Sequence, residues 1–84
     1  MNKEICEQQI KKYQSLIGTT FKHRRNDVTI IIDSLICRSN GLDNENEFEI
    51  YVNYYSSASF RKNMIATDLL TDVFRNFDLG LHSL

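Results

Sequence analysis

From Phe48 to Tyr55 the side chains alternate between an apolar set and a mixed set. The apolar set occupies the even positions, Phe48, Ile50, Val52 and Tyr54. The mixed set occupies the odd positions, Glu49, Tyr51, Asn53 and Tyr55. Successive side chains of a β-strand point to opposite faces of its sheet, so this alternation is typical of a strand with one buried face. It predicts that the even set packs in a core and that Tyr51 and Tyr55 point away from that core.

A second strand is indicated by the run from Val28 to Ile32, which is β-branched throughout. Apolar residues at the even positions of this run would share one face. Leu35 and Cys37, further along, have the opposite parity. Two interpretations remain: the strand bulges near Asp33–Ser34, or it passes between two apolar environments.

Helical spacing replaces alternation at both ends of the chain. The first apolar stripe consists of Cys6, Ile10, Tyr13 and Ile17. Asn2 is its expected N-cap and Gly18 its expected stop. The second stripe, with Thr67 as the expected N-cap, consists of Leu70, Val73, Phe74 and Phe77. We therefore predict helices over 1–18 and 67–79.

These elements predict a single α+β domain over residues 1–84, with an antiparallel sheet over 19–66 between the two helices. The short connections favour a meander of four strands, the last of them from Phe60 to Ala66. A bulge would bend such a sheet strongly or close it into a small SH3-like barrel. The residues expected to be buried together are Ile30, Ile50, Val52, Val73 and Phe74.

Composition narrows the classes of function. The 10 basic and 11 acidic side chains leave a net charge of −1, which argues against a dedicated DNA compactor and against an acidic DNA mimic. No apolar stretch is long enough to span a bilayer, and the first residues do not resemble a signal peptide. We expect a cytoplasmic protein without a membrane partner.

No motif indicates catalysis, a cofactor or a metal site. The glycines do not form a phosphate-binding loop, and the cysteines and histidines lack the spacing of zinc ligands. Cys6 and Cys37 are expected to be unbridged thiols in a reducing compartment. His23 is interpreted as an exposed strand residue, and Asp33 as a bulge residue that hydrogen-bonds locally.

Basic residues accompany the outward tyrosines. A cationic cluster occupies the first hairpin, and two further cations lie on the predicted fourth strand. Tyrosine and arginine together can anchor a protein interface or stack nucleic-acid bases. The predicted partner-binding patch consists of Tyr51, Tyr55, Arg24, Arg61, Arg25, Lys22 and Lys62. The alternative is that a terminal helix covers the tyrosines and that the hairpin cations are only solvated.

The segments GTTFKHRRNDVTIII, EFEIYVNYY and FRKNMIATDLLTDVFRNF together resemble small SH3-like proteins of phages and prophages, with an order of motifs similar to that of the domain of unknown function DUF1653. The chain lacks the usual glycine in the first hairpin and the usual proline before the closing segment. The resemblance implies an SH3-like fold and a phage setting more than an activity. The matching positions are Gly18, Phe21, His23, Val28, Tyr51, Tyr54, Arg61 and Phe77.

The function expected is that of a non-enzymatic binding module with a protein partner. The resemblance adds the expectation of a phage accessory or anti-defence protein that docks on a host complex. Two alternatives stay open: an SH3-like module that binds nucleic acid, and a protein that sequesters a small ligand or nucleotide. Self-association is a further alternative.

Overall fold

The computed structural model describes residues 1–39, 47–58 and 64–79. Within these ranges the protein is α+β, as predicted, with a five-stranded antiparallel sheet in the order β4-β3-β2-β1-β5. In chain order the elements are α1 (Lys3–Tyr13), a short 3₁₀ helix (Gln14–Leu16), β1 (Thr20–His23), β2 (Thr29–Ser39), β3 (Phe48–Ser56), β4 (Ile65–Leu69), α2 (Leu70–Asn76) and β5 (Phe77–Leu79).

The start of α1 is the one predicted. Asn2 Oδ1 accepts a hydrogen bond of 2.8 Å from Ile5 N, so Asn2 is the N-cap. The α-helix ends earlier than expected, at Tyr13. Gly18 has a φ of 84°, a conformation that favours glycine, and its N–H donates to Ile32 O at 2.7 Å. Gly18 therefore turns the chain from the 3₁₀ helix into the sheet.

The bulge in β2 is confirmed, because the register with β3 shifts between Ile32 and Ser34. Asp33 therefore has no residue opposite it on β3. Its carboxylate accepts a hydrogen bond of 3.3 Å from the Ser34 hydroxyl, which is the local role expected. Beyond the bulge Leu35 and Cys37 share the face of the core.

The predicted C-terminal elements were partly wrong. Residues 65–69 form β4, α2 is only seven residues long, and Phe77–Leu79 is a fifth strand that pairs with β1. Thr67 is not an N-cap: it lies in β4, and its hydroxyl donates to Asn53 Oδ1 at 2.6 Å. Pairing with distant strands thus overrides the helical stripe. The predicted strand start at Phe60 and the stop at Gly80 lie outside the described residues.

Both helices contribute to the core on one face of the sheet. Ile30, Ile50, Val52 and Val73 are buried, as predicted. The prediction that Phe74 is buried is wrong, because Phe74 is 37% exposed. The complete buried cluster consists of Cys6, Phe21, Ile30, Ile32, Ile50, Val52, Tyr54, Leu70 and Val73. Across the described ranges, neither helix has the length and apolar content needed to cross a bilayer.

The two cysteines are brought together although they are distant in the chain. Cys6 in α1 is fully buried, and it shares a side-chain hydrogen bond with Cys37 on β2. Both are free thiols. Burial, followed by this hydrogen bond, raises the pKa of Cys37 to about 12. The pair is therefore a protonated packing contact between α1 and the sheet.

Candidate functional site

The sheet has a second face, opposite the core, whose described side chains are half-buried or exposed. In antiparallel pairs, residues directly opposite each other lie on the same face. The buried strand residues all belong to the core face. The opposite face carries three rows of side chains across β2, β3 and β4, which we call the outer face: Ile31, Tyr55 and Ile65; Ser34, Asn53 and Thr67; Ile36, Tyr51 and Leu69.

The first row is apolar and exposed. Tyr55 lies between Ile31 on β2 and Ile65 on β4, and the two isoleucines are 48% and 47% exposed. Isoleucine and tyrosine both favour strands, but the exposure of two large isoleucines beside a tyrosine is unusual for a purely solvated face. This row therefore leaves apolar area available for contact with another molecule.

The middle row is polar and fully connected. Asn53 Nδ2 donates to Ser34 Oγ at 3.0 Å, and Asn53 Oδ1 accepts from Thr67 Oγ1 at 2.6 Å. One amide side chain thus links three strands. Because these hydrogen bonds run across the strands, they join β2, β3 and β4 in the middle of the outer face.

The third row combines aromatic and cationic character. Tyr51 lies opposite Ile36 on β2 and Leu69 on β4, and Ile36 is 37% exposed. The guanidinium carbon of Arg38 lies 5.5 Å from the centroid of the Tyr51 ring, within the range of a cation–π contact. Tyr51 and Tyr55 are both half-buried, and both point away from the core as predicted.

The structure does not bring Arg24 to the tyrosines. Arg24 lies beyond the end of β1, and β2 separates β1 from β3. Its Nε lies 3.1 Å from Asp78 Oδ1, and its Nη2 donates to Phe74 O at 3.1 Å. These contacts hold Arg24 at the edge formed by β1 and β5.

The remaining predicted cations are more dispersed. Lys22 is exposed on β1 and shares the parity of Thr20, which lies opposite Ile31, so it borders the outer face. Arg25 is exposed in the first hairpin. Arg61 and Lys62 lie outside the described residues.

The imidazole of His23 accepts hydrogen bonds within the first hairpin. Its Nδ1 accepts hydrogen bonds from Arg25 N and Asn26 N, each 3.1 Å long, and its ring meets the edge of Phe77 at 5.0 Å between centroids. It is half-buried, which differs from the exposed strand position expected. The imidazole therefore organises the turn. Within the described ranges, no three His, Cys, Asp or Glu side chains are grouped as metal ligands.

The residues missed by sequence reasoning are the three outer isoleucines. Ile31 has outward parity in its strand, a signal that was available in the sequence. Ile36 reaches the outer face only because of the bulge at Asp33. Ile65 does so because β4 pairs with β3 from Ile65 onward.

Comparison of the chain with models of protein families, with curated proteins and with solved structures finds no match. The outer face itself is therefore the feature from which a function can be inferred.

Proposed function

We propose that this chain is a non-enzymatic domain that binds a protein partner through its outer face. The observation that carries the proposal is the pair of apolar rows, in which Ile31, Ile36 and Ile65 remain 48%, 37% and 47% exposed around two tyrosines. Tyrosine is enriched at protein interfaces because it offers a large rigid contact area and a polar tip.

A protein partner fits this surface better than a nucleic acid does. Phosphate recognition requires a stripe of available cations, whereas the outer face presents isoleucines and a neutral polar row. Arg38 lies over Tyr51, and Arg24 is paired with Asp78 at the far edge. The partner surface that fits the outer face is apolar, with hydrogen-bonding groups at its margin.

The proposal also covers the fold subtype, the location and the biological setting of the domain. The bulge at Asp33 supports an SH3-like curvature of the sheet. We propose a cytoplasmic location as well. The assignment as a phage accessory or anti-defence protein, docking on a complex of its bacterial host, is supported by the sequence resemblance alone.

The test uses a double variant of the outer face, Ile31→Thr with Ile36→Thr, which keeps β-branched residues in the strand. Ile17→Thr is the matched control, because Ile17 is 41% exposed and lies outside the sheet. A partner is first captured from bacterial lysate, purified, and then titrated against each variant.

The double variant should weaken binding of the purified partner at least about tenfold, while the control should bind as the parent does. Equal affinities for all three proteins, with all three folded, would contradict the proposal. A steep loss of binding with added salt for the parent and the double variant alike would favour the nucleic-acid alternative.

A further inference from the structure

The pattern of the outer face is the same after a half turn. Its first and third rows are apolar, and the polar row of Ser34, Asn53 and Thr67 lies between them. Asn53 is on the central one of the three strands and in the central row, so it is the middle of the arrangement. A two-fold axis in the plane of contact above Asn53 therefore sets apolar rows against apolar rows and the polar row against itself.

This match holds for either direction of the axis. With an axis along the strands, Tyr51 and Tyr55 each face the same residue of a second copy. With an axis across the strands, Tyr51 faces Tyr55 of the second copy, and Ile36 faces its Ile31. In both cases the surface that matches the outer face, row by row, is the outer face itself.

The polar row can also form hydrogen bonds across such a contact. Asn53 Nδ2 donates to Ser34, and Asn53 Oδ1 accepts from Thr67. A side-chain amide has two N–H groups, and its oxygen has two lone pairs. Two Asn53 amides that meet at the axis can therefore bond each other reciprocally and keep their bonds within the sheet. Covering the apolar rows then does not strand the polar groups between them.

The charge and the size of the surface set the strength of the contact. The net charge of −1 gives two copies little mutual repulsion. Strand and residue spacings give the three rows an area of about 300 Å² per copy. Stable complexes bury about 800 Å² per partner, so a contact of this size is expected to be weak and reversible.

We propose that a second copy of this chain occupies the outer face, in a weak dimer whose two-fold axis passes beside Asn53. The inference rests on the proposed function, because it names the protein that covers the same surface. Any other partner of the outer face competes with the second copy.

Sedimentation velocity of the unaltered protein tests the dimer. From about 1 µM to about 1 mM the protein should show a monomer–dimer equilibrium with a Kd of about 100 µM. Ile31→Thr with Ile36→Thr should weaken the dimer at least about tenfold, because it removes apolar area from both rows. Ile17→Thr, the control outside the sheet, should sediment as the parent does. A parent that stays monomeric at every concentration, or a dimer that the double variant does not weaken, would overturn the proposal.

Cross-linking tests the position of the axis. Asn53→Cys places a thiol beside the axis, so a short bismaleimide should join two copies at protein concentrations above the Kd of the dimer. Lys11→Cys places an exposed thiol on α1, away from the sheet, and should cross-link no more than the parent does. Thermal melts establish that both variants are folded. Equal cross-linking at the two positions would contradict an axis at Asn53, whereas sedimentation of the unaltered protein decides the dimer without any variant.

The second copy and the proposed function can fail separately. If the parent is monomeric but its purified partner binds the double isoleucine variant at least about tenfold more weakly, the second copy is overturned and the proposed function stands. If the dimer depends on the two isoleucines while the purified partner binds parent and variant equally, the second copy is supported and that partner binds elsewhere.

Discussion

The hydroxyl of Tyr54 donates a hydrogen bond of 2.5 Å to Asp68 Oδ2, across the pairing of β3 with β4. Tyr54 is at the margin of the buried cluster, while Asp68 is exposed, so the bond joins the core to the sheet edge. Burial, followed by this hydrogen bond and the charge of Asp68, raises the pKa of Tyr54 to about 12.

This pKa predicts a loss of stability in alkali. The folded state holds the phenolic proton more tightly than the unfolded chain does. The contribution of protonated Tyr54 to the free energy of unfolding is therefore complete below pH 10 and is lost as the pH rises towards about 12. Tyr54→Phe should flatten this dependence and cost about 1 kcal/mol at neutral pH. Urea unfolding from pH 8 to 11 measures both effects. Because Cys37 also has a raised pKa, the Tyr54→Phe variant and its parent should both carry Cys37→Ala. If the free energy of unfolding of the two proteins had the same slope against pH, the prediction would be contradicted.

The burial of α2 residues predicts an order of mutational costs. Val73 is 1% exposed and Phe74 is 37% exposed. Val73→Ala should cost about 2 kcal/mol, since it removes fully buried methyl groups. Phe74→Ala should cost less than the roughly 3–5 kcal/mol usual for a buried phenylalanine. Chemical denaturation gives both free energies of unfolding, and a Phe74→Ala cost within that full range would mean that the ring is part of the core.

We expect that the outer tyrosines can be replaced without loss of the fold. Tyr51→Ala with Tyr55→Ala should leave a cooperative melting transition, because the core lies on the other face. The same variant should bind the purified partner more weakly by about 2 kcal/mol or more if the tyrosines are hot spots. A melting curve and a binding titration on one preparation test this, and an unfolded variant would remove the tyrosines from consideration.

We expect the thiols of Cys6 and Cys37 to be unreactive. Only the thiolate reacts with iodoacetamide, and the pKa of Cys37 is raised to about 12. At pH 8 Cys37 should therefore be alkylated more than about tenfold more slowly than a free cysteine, as followed by mass spectrometry. A reductant should leave the melting temperature unchanged, whereas loss of a native disulfide typically costs about 2–5 kcal/mol. Fast labelling in the folded protein would contradict this environment.

Local patterns predicted the first helix and the two long strands. Asn2 caps α1 through its own side chain, and the change of parity after Ile32 marks the bulge, so both signals lie in a few adjacent residues. The even positions of β3 are likewise buried or half-buried because alternation is a property of the strand itself.

Pairing between strands that are distant in the chain determined the C-terminal elements that local patterns did not predict. Thr67 fits a helix N-cap and Phe77 fits the helical stripe that follows it, yet Thr67 pairs with Asn53 and Phe77 with His23, residues far away in the chain. The same limit applies to the site. Outward parity identified Tyr51 and Tyr55, whereas the position of Arg24 depends on a fifth strand that carries Asp78.

The extra residue at Asp33 decides which side chains of β2 reach each face of the sheet. If Asp33 had a regular partner on β3, strict alternation would place Ser34 and Ile36 on the core face and turn Leu35 and Cys37 outward. One unpaired residue therefore exchanges the inner and outer sides of the second half of the strand. The irregularity that brings Cys37 beside Cys6 also exposes Ile36, so the core and the outer surface of the domain depend on a single backbone feature.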